Sequence, residues 1–148
     1  MINILVMLHV VAVVIWVGGM LFAHMQLRPI AASQLEPPVR LRLWVGVFGR
    51  FFPWVWGSII TILVTGFWII NIYGGFKVVG MHINVMMALG LLMMLIFFHV
   101  FFAPYRRLKQ AVAAEDWTVA GAKLAQIRTL VGINMTLGVL TIAIRYII

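Results

Sequence analysis

The chain has 148 residues, of which 65% are hydrophobic and only 9% are charged. A soluble domain of this size needs much more polar surface, so the composition excludes a water-soluble globule and predicts a single integral membrane domain. The net charge of +8 comes from basic residues beside the apolar stretches, where membrane lipid is the expected partner and nucleic acid is not. Cysteine is absent, so a bound metal would need histidine, methionine or oxygen ligands.

Four apolar stretches are each long enough to cross a bilayer core of about 30 Å, which requires about 20 helical residues. They cover residues 2–26, 52–73, 79–103 and 127–147. These lengths predict an all-α fold in which residues 1–148 form an up-down four-helix bundle in the membrane. Between the first two spans, residues 39–49 are amphipathic and are expected to lie along the membrane surface, with Pro53 in the first turn of the second span.

The ends of the later helices carry sequence signals. Gly74 and Gly75 are typical of a helix end followed by a turn, Pro104 ends the third span, and Asp116 is suited to cap the last helix. The first and third connections hold most of the eleven basic residues. By the positive-inside rule, both connections then lie in the cytoplasm and both termini in the periplasm of a bacterial inner membrane.

The four histidines lie in two of the predicted spans, His9 and His24 in the first, His82 and His99 in the third. These spans run in the same direction, and the histidines of each are separated by about 22 Å and about 25 Å along the helix. We therefore expect His9 beside His82 near the outer surface, and His24 beside His99 near the inner surface. Paired imidazoles are typical axial ligands of b-type haem, so the pattern predicts one or two haems. The alternative is that individual histidines are interfacial.

Three further side chains are candidates for contact with such a cofactor. Trp16 lies in the middle of the first span, Asn84 lies two residues after His82, and Arg145 is placed to pair with haem propionates. The chain has no hydrolytic triad, phosphate loop or paired carboxylates, and no catalytic residue is identified. The predicted function is electron transfer by a membrane cytochrome, with quinone or a redox protein as partner. Whether it is an oxidoreductase enzyme, and whether it forms homo-oligomers, is left open.

Methionine supports a second interpretation, in which the cofactor is copper. The chain has ten methionines, among which Met20 and Met25 lie close to His24 along the first span, and others line the third. Thioether and imidazole ligands suit Cu(I). Core packing explains the same residues, because methionine fills apolar interiors readily.

Three motifs carry a resemblance to known membrane protein families. In the first span, His9 is followed by Trp16 and the glycine pair 18–19. The third span begins MHINVMMALGLL, and the last reads IRTLVGINMTLGVLTIAI, with Arg128 and Asn134. All three stretches resemble the CopD copper-resistance domain family. The first and third are also similar to the HemJ-like four-helix haem-binding membrane proteins, which are protoporphyrinogen oxidases.

The two resemblances imply different functions. The CopD family implies copper transport or tolerance at the inner membrane. The HemJ-like family implies b-type haem and oxidation of protoporphyrinogen, with His82 matching its third-span histidine. That pattern has a lysine two residues later, where this chain has Asn84. An amide cannot replace an ammonium ion that pairs with carboxylates, so this departure counts against the oxidase activity.

Overall fold

A computed structural model describes all 148 residues, and every regular element in it is helical, which confirms the predicted all-α class. The first helical stretch consists of α1 (Ile2–Phe22), one π turn (Ala23–Leu27) and α2 (Arg28–Gln34). It is followed by α3 (Pro37–Ile72), α4 (Met81–Phe102), α5 (Pro104–Ala113) and α6 (Trp117–Ile147). Four helical stretches of 31 to 36 residues are long and apolar enough to cross a membrane. At 1.5 Å per residue each is about 45 Å or more in length, so their ends extend beyond a bilayer core of about 30 Å.

Two pairs of neighbouring helices make up the bundle. α1 packs mainly against α3 and α4 mainly against α6, and each pair is antiparallel because a short connection reverses the chain. α6 also contacts α1, whereas α1 and α4 share almost no close backbone contacts and lie diagonally across the bundle. The basic end is defined here as the end with residues 28–50 and 104–128, which hold most of the arginines and lysines. The opposite end, with both termini and the turn 73–80, is called the terminal end.

The predicted surface helix between the first two spans is wrong. Residues 39–49 belong to α3, which is one continuous helix from Pro37 to Ile72 and passes through Pro53. Pro37 and Pro38, not Pro53, occupy its first turn. The reason is tertiary packing: the apolar face of this segment is buried inside the protein, where Phe48 meets the ring of Tyr105 on α5 at a centroid distance of 5.9 Å. A helix that buries this face against α5 and α6 does not need the membrane surface to cover it.

The other predicted helix ends are confirmed. Gly74 and Gly75 have φ angles of 99° and 95°, in the left-handed region that favours glycine after a helix. Ala103 leaves the helical conformation directly before Pro104, as expected for a residue that precedes proline. The Asp116 carboxylate accepts a hydrogen bond from the Val119 N–H at 3.2 Å and so caps α6.

Aromatic side chains fill the half of the bundle nearer the basic end. Phe52 of α3 lies in the centre, with its ring 5.1 Å from Phe48, 5.3 Å from Phe97 and 4.8 Å from Tyr105. Trp56 stacks on Phe98 at 5.2 Å. These rings hold α3 and α4 apart, which explains why the two helices share few close backbone contacts. The half nearer the terminal end has smaller interior residues and contains His9.

Candidate functional site

His9 is partly buried and makes the only side-chain hydrogen bond between two spans that involves a histidine. Its ring nitrogen Nδ1 lies 2.8 Å from the hydroxyl of Thr65 on α3. The Thr65 hydroxyl donates its single hydrogen to the Thr61 carbonyl at 2.6 Å, so it accepts from His9, and Nδ1 must carry the proton. The other nitrogen, Nε2, then has a free lone pair, which is the form of imidazole that binds a metal.

Gly66 of α3 leaves space in which the His9 ring and the Met87 thioether come close to the same backbone position. A Cβ on Gly66 would lie 3.4 Å from His9 Cε1 and 3.8 Å from the Met87 methyl carbon. The imidazole of α1 and the thioether of α4 therefore both rest on the bare backbone of α3. Imidazole and thioether are ligands that Cu(I) accepts.

The other three histidines have different surroundings. His24 lies in the π turn and packs against α6, where a Cβ on Gly132 would be 3.1 Å from His24 Cε1. His82 turns back over Gly80, which precedes its own helix, and His99 is exposed. No group of three histidine, aspartate or glutamate side chains is placed to hold a metal ion.

The structure does not support the predicted haem between spans one and three. α1 and α4 are diagonal, and the contacts of His9 and His24 are made with α3 and α6. The surface of α1 at Gly19 is also covered by α3, because a Cβ on Gly19 would overlap the ring of Phe51. The assignment of the individual histidines as ligands stays a prediction.

The three additional candidate residues are spread over the molecule. Trp16 is buried and packs edge-on against Phe97 at 6.4 Å. Asn84 is exposed and donates to the Phe76 carbonyl at 3.2 Å, which ties the turn 73–80 to the start of α4. Arg145 is exposed in the last turn of α6. Trp16 therefore lies in the core, and Asn84 and Arg145 lie on the surface of the terminal end.

The methionines differ widely in burial. Met20 of α1 and the neighbours Met93 and Met94 of α4 are at most 4% exposed, whereas Met25 is 53% exposed. Met20 and Met25 are close in sequence and were predicted to act together, but the Met20 side chain is buried and the Met25 side chain is exposed. The buried group lies between the His9 level and the His24 level of the bundle.

An apolar cavity of about 310 Å³ lies next to the buried methionines. Met20 lines it, and Asn134 of α6 is its only polar side chain. The Asn134 amide nitrogen donates to the Met93 carbonyl at 3.1 Å, and this contact fixes which way the amide points. Its Oδ1 is buried without a hydrogen-bond donor, which costs free energy unless a bound molecule in the cavity donates to it. The sequence identified Asn134 only as part of the last-span motif and gave no signal for the cavity.

These features define a multi-pass membrane protein, a four-helix bundle with soft donor atoms in its interior. Residues 45–147 match the family model described as copper resistance protein D, or CopD. Because this match covers more than half of the chain, the protein belongs to the CopD family, as the motifs predicted. The match begins within α3, so the first helical stretch, which contains His9, Met20 and His24, lies outside it. No curated protein and no solved structure matches the chain.

Proposed function

We propose that this protein carries Cu(I) through the membrane along the interior of its four-helix bundle, in copper tolerance. One observation carries the proposal: three methionine thioethers, those of Met20, Met93 and Met94, are buried in the interior, while every acidic residue is exposed in a connection between helices. Cu(I) prefers thioether and imidazole, whereas calcium and magnesium need several oxygen ligands. An interior with thioethers and without carboxylates therefore favours Cu(I). The description of the family as copper resistance proteins supports the same cargo.

The soft donors follow one another along the bundle axis. His9 and Met87 lie nearest the terminal end, Met93 lies further in, Met20 borders the apolar cavity, and His24 lies nearest the basic end. From His9 to His24 the helix rises about 22 Å, so the donors extend over most of a bilayer core. Several weak sites in series suit transport better than one tight site, because an ion must also leave each site.

At the terminal end, His9 is suited to be the first ligand. Thr65 holds the ring by accepting from Nδ1, which leaves Nε2 free for the ion. Such an outer partner orients a metal-binding imidazole and raises its basicity. The Met87 thioether beside the same glycine supplies a second soft donor from another helix.

The proposal is tested by Cu(I) affinity, measured on the purified protein in competition with a coloured Cu(I) chelator. Met20→Leu and Met93→Leu preserve side-chain volume closely and remove one thioether each, so we expect roughly tenfold weaker binding. Met25→Leu and Met81→Leu are matched controls, because these side chains are 53% and 76% exposed, and they should bind as the wild type does. An equal loss of Cu(I) affinity in both groups would show that the interior methionines are not the copper ligands.

Movement of the ion is tested in proteoliposomes that contain the chelator. The wild type should colour the vesicles after external Cu(I) is added, and His9→Ala and Met93→Leu should slow this influx while Met25→Leu does not. Binding without influx would restrict the function to copper sensing or storage. A Soret band with stoichiometric haem in protein from haem-replete cells would instead favour the electron-transfer function predicted from the four histidines.

A further inference from the structure

Two adjoining recesses open at the basic end, between the first helical stretch and α6. One, of about 420 Å³, reaches inward between α3 and α6, and the other, of about 580 Å³, runs along the outer face of α6. His24, Arg28 and Arg128 line both recesses and therefore stand at their junction. The Cu(I) function proposed above does not use the two arginines.

The local chain geometry brings His24 and Arg28 to this junction. Pro29 has no N–H to close the normal helical hydrogen bond, and the chain makes its single π turn, Ala23–Leu27, just before it. Arg28 Nε donates to the backbone carbonyl of His24 at 3.3 Å, and the spacing of four residues puts both side chains on the same side of the helix. On α6, the bare backbone of Gly132 leaves room for the His24 ring.

The positive charge at the junction has no acidic partner. Arg28, Arg40 and Arg128 line the inner recess, and no aspartate or glutamate lines either recess. The chain has one ion pair, between the exposed side chains of Arg42 and Glu115. Arg28 and Arg40 each give donors to backbone carbonyls and retain further N–H groups that can reach an anion. Three cations in partly enclosed recesses favour an anionic guest, and phosphate suits the guanidinium fork.

The shape of the outer recess distinguishes a lipid from a free anion. Beyond Arg128 the recess continues along α6 past Ile133 to Leu137. This distance is about 14 Å along the helix, toward the middle of the membrane. Ile133 is 47% exposed there, as expected for a residue that contacts an acyl chain. Thr129 and Thr136 also line this extension, but their hydroxyls donate to backbone carbonyls of α6. A free phosphate would use the charged junction and leave the extension empty.

We propose that these recesses bind an anionic phospholipid, with its phosphate between Arg28 and Arg128 beside His24 and an acyl chain along residues 133–137 of α6. The bound lipid joins the first helical stretch to α6 at the basic end. Trp44 and Trp117 also line the inner recess, and tryptophan is enriched at the depth of lipid headgroups. The lipid site would hold the first helical stretch against α6, and it shares only His24 with the copper path.

The test is native mass spectrometry of the full chain in detergent, titrated with palmitoyl-oleoyl phosphatidylglycerol or with the phosphatidylcholine of the same acyl chains. We expect one tightly bound phosphatidylglycerol and at least tenfold weaker phosphatidylcholine. Arg28→Gln and Arg128→Gln should each weaken phosphatidylglycerol roughly tenfold, because each removes a charge-assisted contact. Arg106→Gln is the matched control, since Arg106 is exposed on α5 and lines neither recess, and it should bind as the wild type does.

A second pair of variants keeps all charges, so that a folding defect in the arginine variants does not decide the result. Ile133→Trp fills the outer recess and should weaken phosphatidylglycerol, whereas Ile142→Trp, at an equally exposed position outside it, should not. Displacement of the lipid by millimolar inorganic phosphate with no effect of Ile133→Trp would assign the site to a soluble phosphate and overturn the lipid proposal. Equal binding of both lipids, or equal loss in the Arg106 control, would overturn the anion site altogether.

Discussion

Replacing Asn134 by leucine tests whether the buried amide oxygen has a partner in the working protein. The two side chains have similar shapes, so the substitution changes polarity more than volume. It removes one hydrogen bond, the 3.1 Å contact from Nδ2 to the Met93 carbonyl, and it removes the unpartnered Oδ1. The Met93 carbonyl lies within α4 and keeps its helical hydrogen bond, so no new unsatisfied group is created.

The two effects have opposite signs and different sizes. An interhelical side-chain hydrogen bond in a membrane protein contributes roughly 0.6 kcal/mol on average. A buried polar atom without a partner costs roughly 1–3 kcal/mol. If Oδ1 has no partner, the substitution therefore stabilises the protein by about 1 kcal/mol. For a chain of about 150 residues this corresponds to a rise in Tm of roughly 2–4 °C.

The assay is thermal unfolding in detergent micelles, followed by the fluorescence of the tryptophans, with a Cu(I) chelator present to keep the cargo away. Asn71→Leu serves as control, because Asn71 is exposed and its replacement should leave Tm nearly unchanged. A fall in Tm of Asn134→Leu by more than about 2 °C would refute the reasoning. It would mean that the 310 Å³ cavity holds a water or another guest that pairs with Oδ1.

Three further substitutions test the packing that positions the site. Gly19→Ala should lower stability by roughly 1–3 kcal/mol because its Cβ overlaps an aromatic ring. Gly18→Ala has open space around its Cβ and should be neutral or slightly stabilising. Thermal unfolding in detergent, as for Asn134→Leu, compares the two variants. Asp116→Ala should cost about 1 kcal/mol by removing the cap of α6, and hydrogen exchange of the first turn should rise; unchanged exchange would contradict the cap. Thr65→Val should release the His9 ring and weaken Cu(I) binding roughly tenfold or more, while the free energy of unfolding changes by less than about 1 kcal/mol. Unaltered Cu(I) affinity would show that the 2.8 Å bond between His9 and Thr65 has no part in copper binding.

Helix ends could be predicted well because their signals are local. Gly74 and Gly75 end α3, Pro104 interrupts the helix before it, and Asp116 caps α6, each through its own backbone or side-chain chemistry. The start of α3 was predicted wrongly because a proline can lie either in the first turn of a helix or inside a long one. Pro53 was assigned to a first turn, but a proline inside a long packed helix is tolerated when tertiary contacts exceed the loss of one hydrogen bond.

The candidate site was harder to predict because its partners are remote in the chain. The bond from His9 to Thr65 joins residues 56 positions apart, and no spacing within one helix indicates it. The sequence identified Asn134 as a residue of the last-span motif, yet its unpartnered oxygen depends on four helices that surround one cavity. From the sequence, Arg28 was interpreted only as membrane topology and Arg128 as part of the last-span motif. Their shared recess appears only when α6 packs on the first helical stretch.

The sequence by itself determined that this chain is a four-helix membrane protein of the CopD family, because apolar length, turn residues and motifs are properties of short segments. Only the tertiary structure decided which histidines and methionines face one another. α1 and α4 are apolar on all sides, so their periodicity marks no inner face. In lipid, the inner face is chosen by close packing at small residues such as Gly66 and Gly132, and this choice separates His9 and His24 from the histidines of α4.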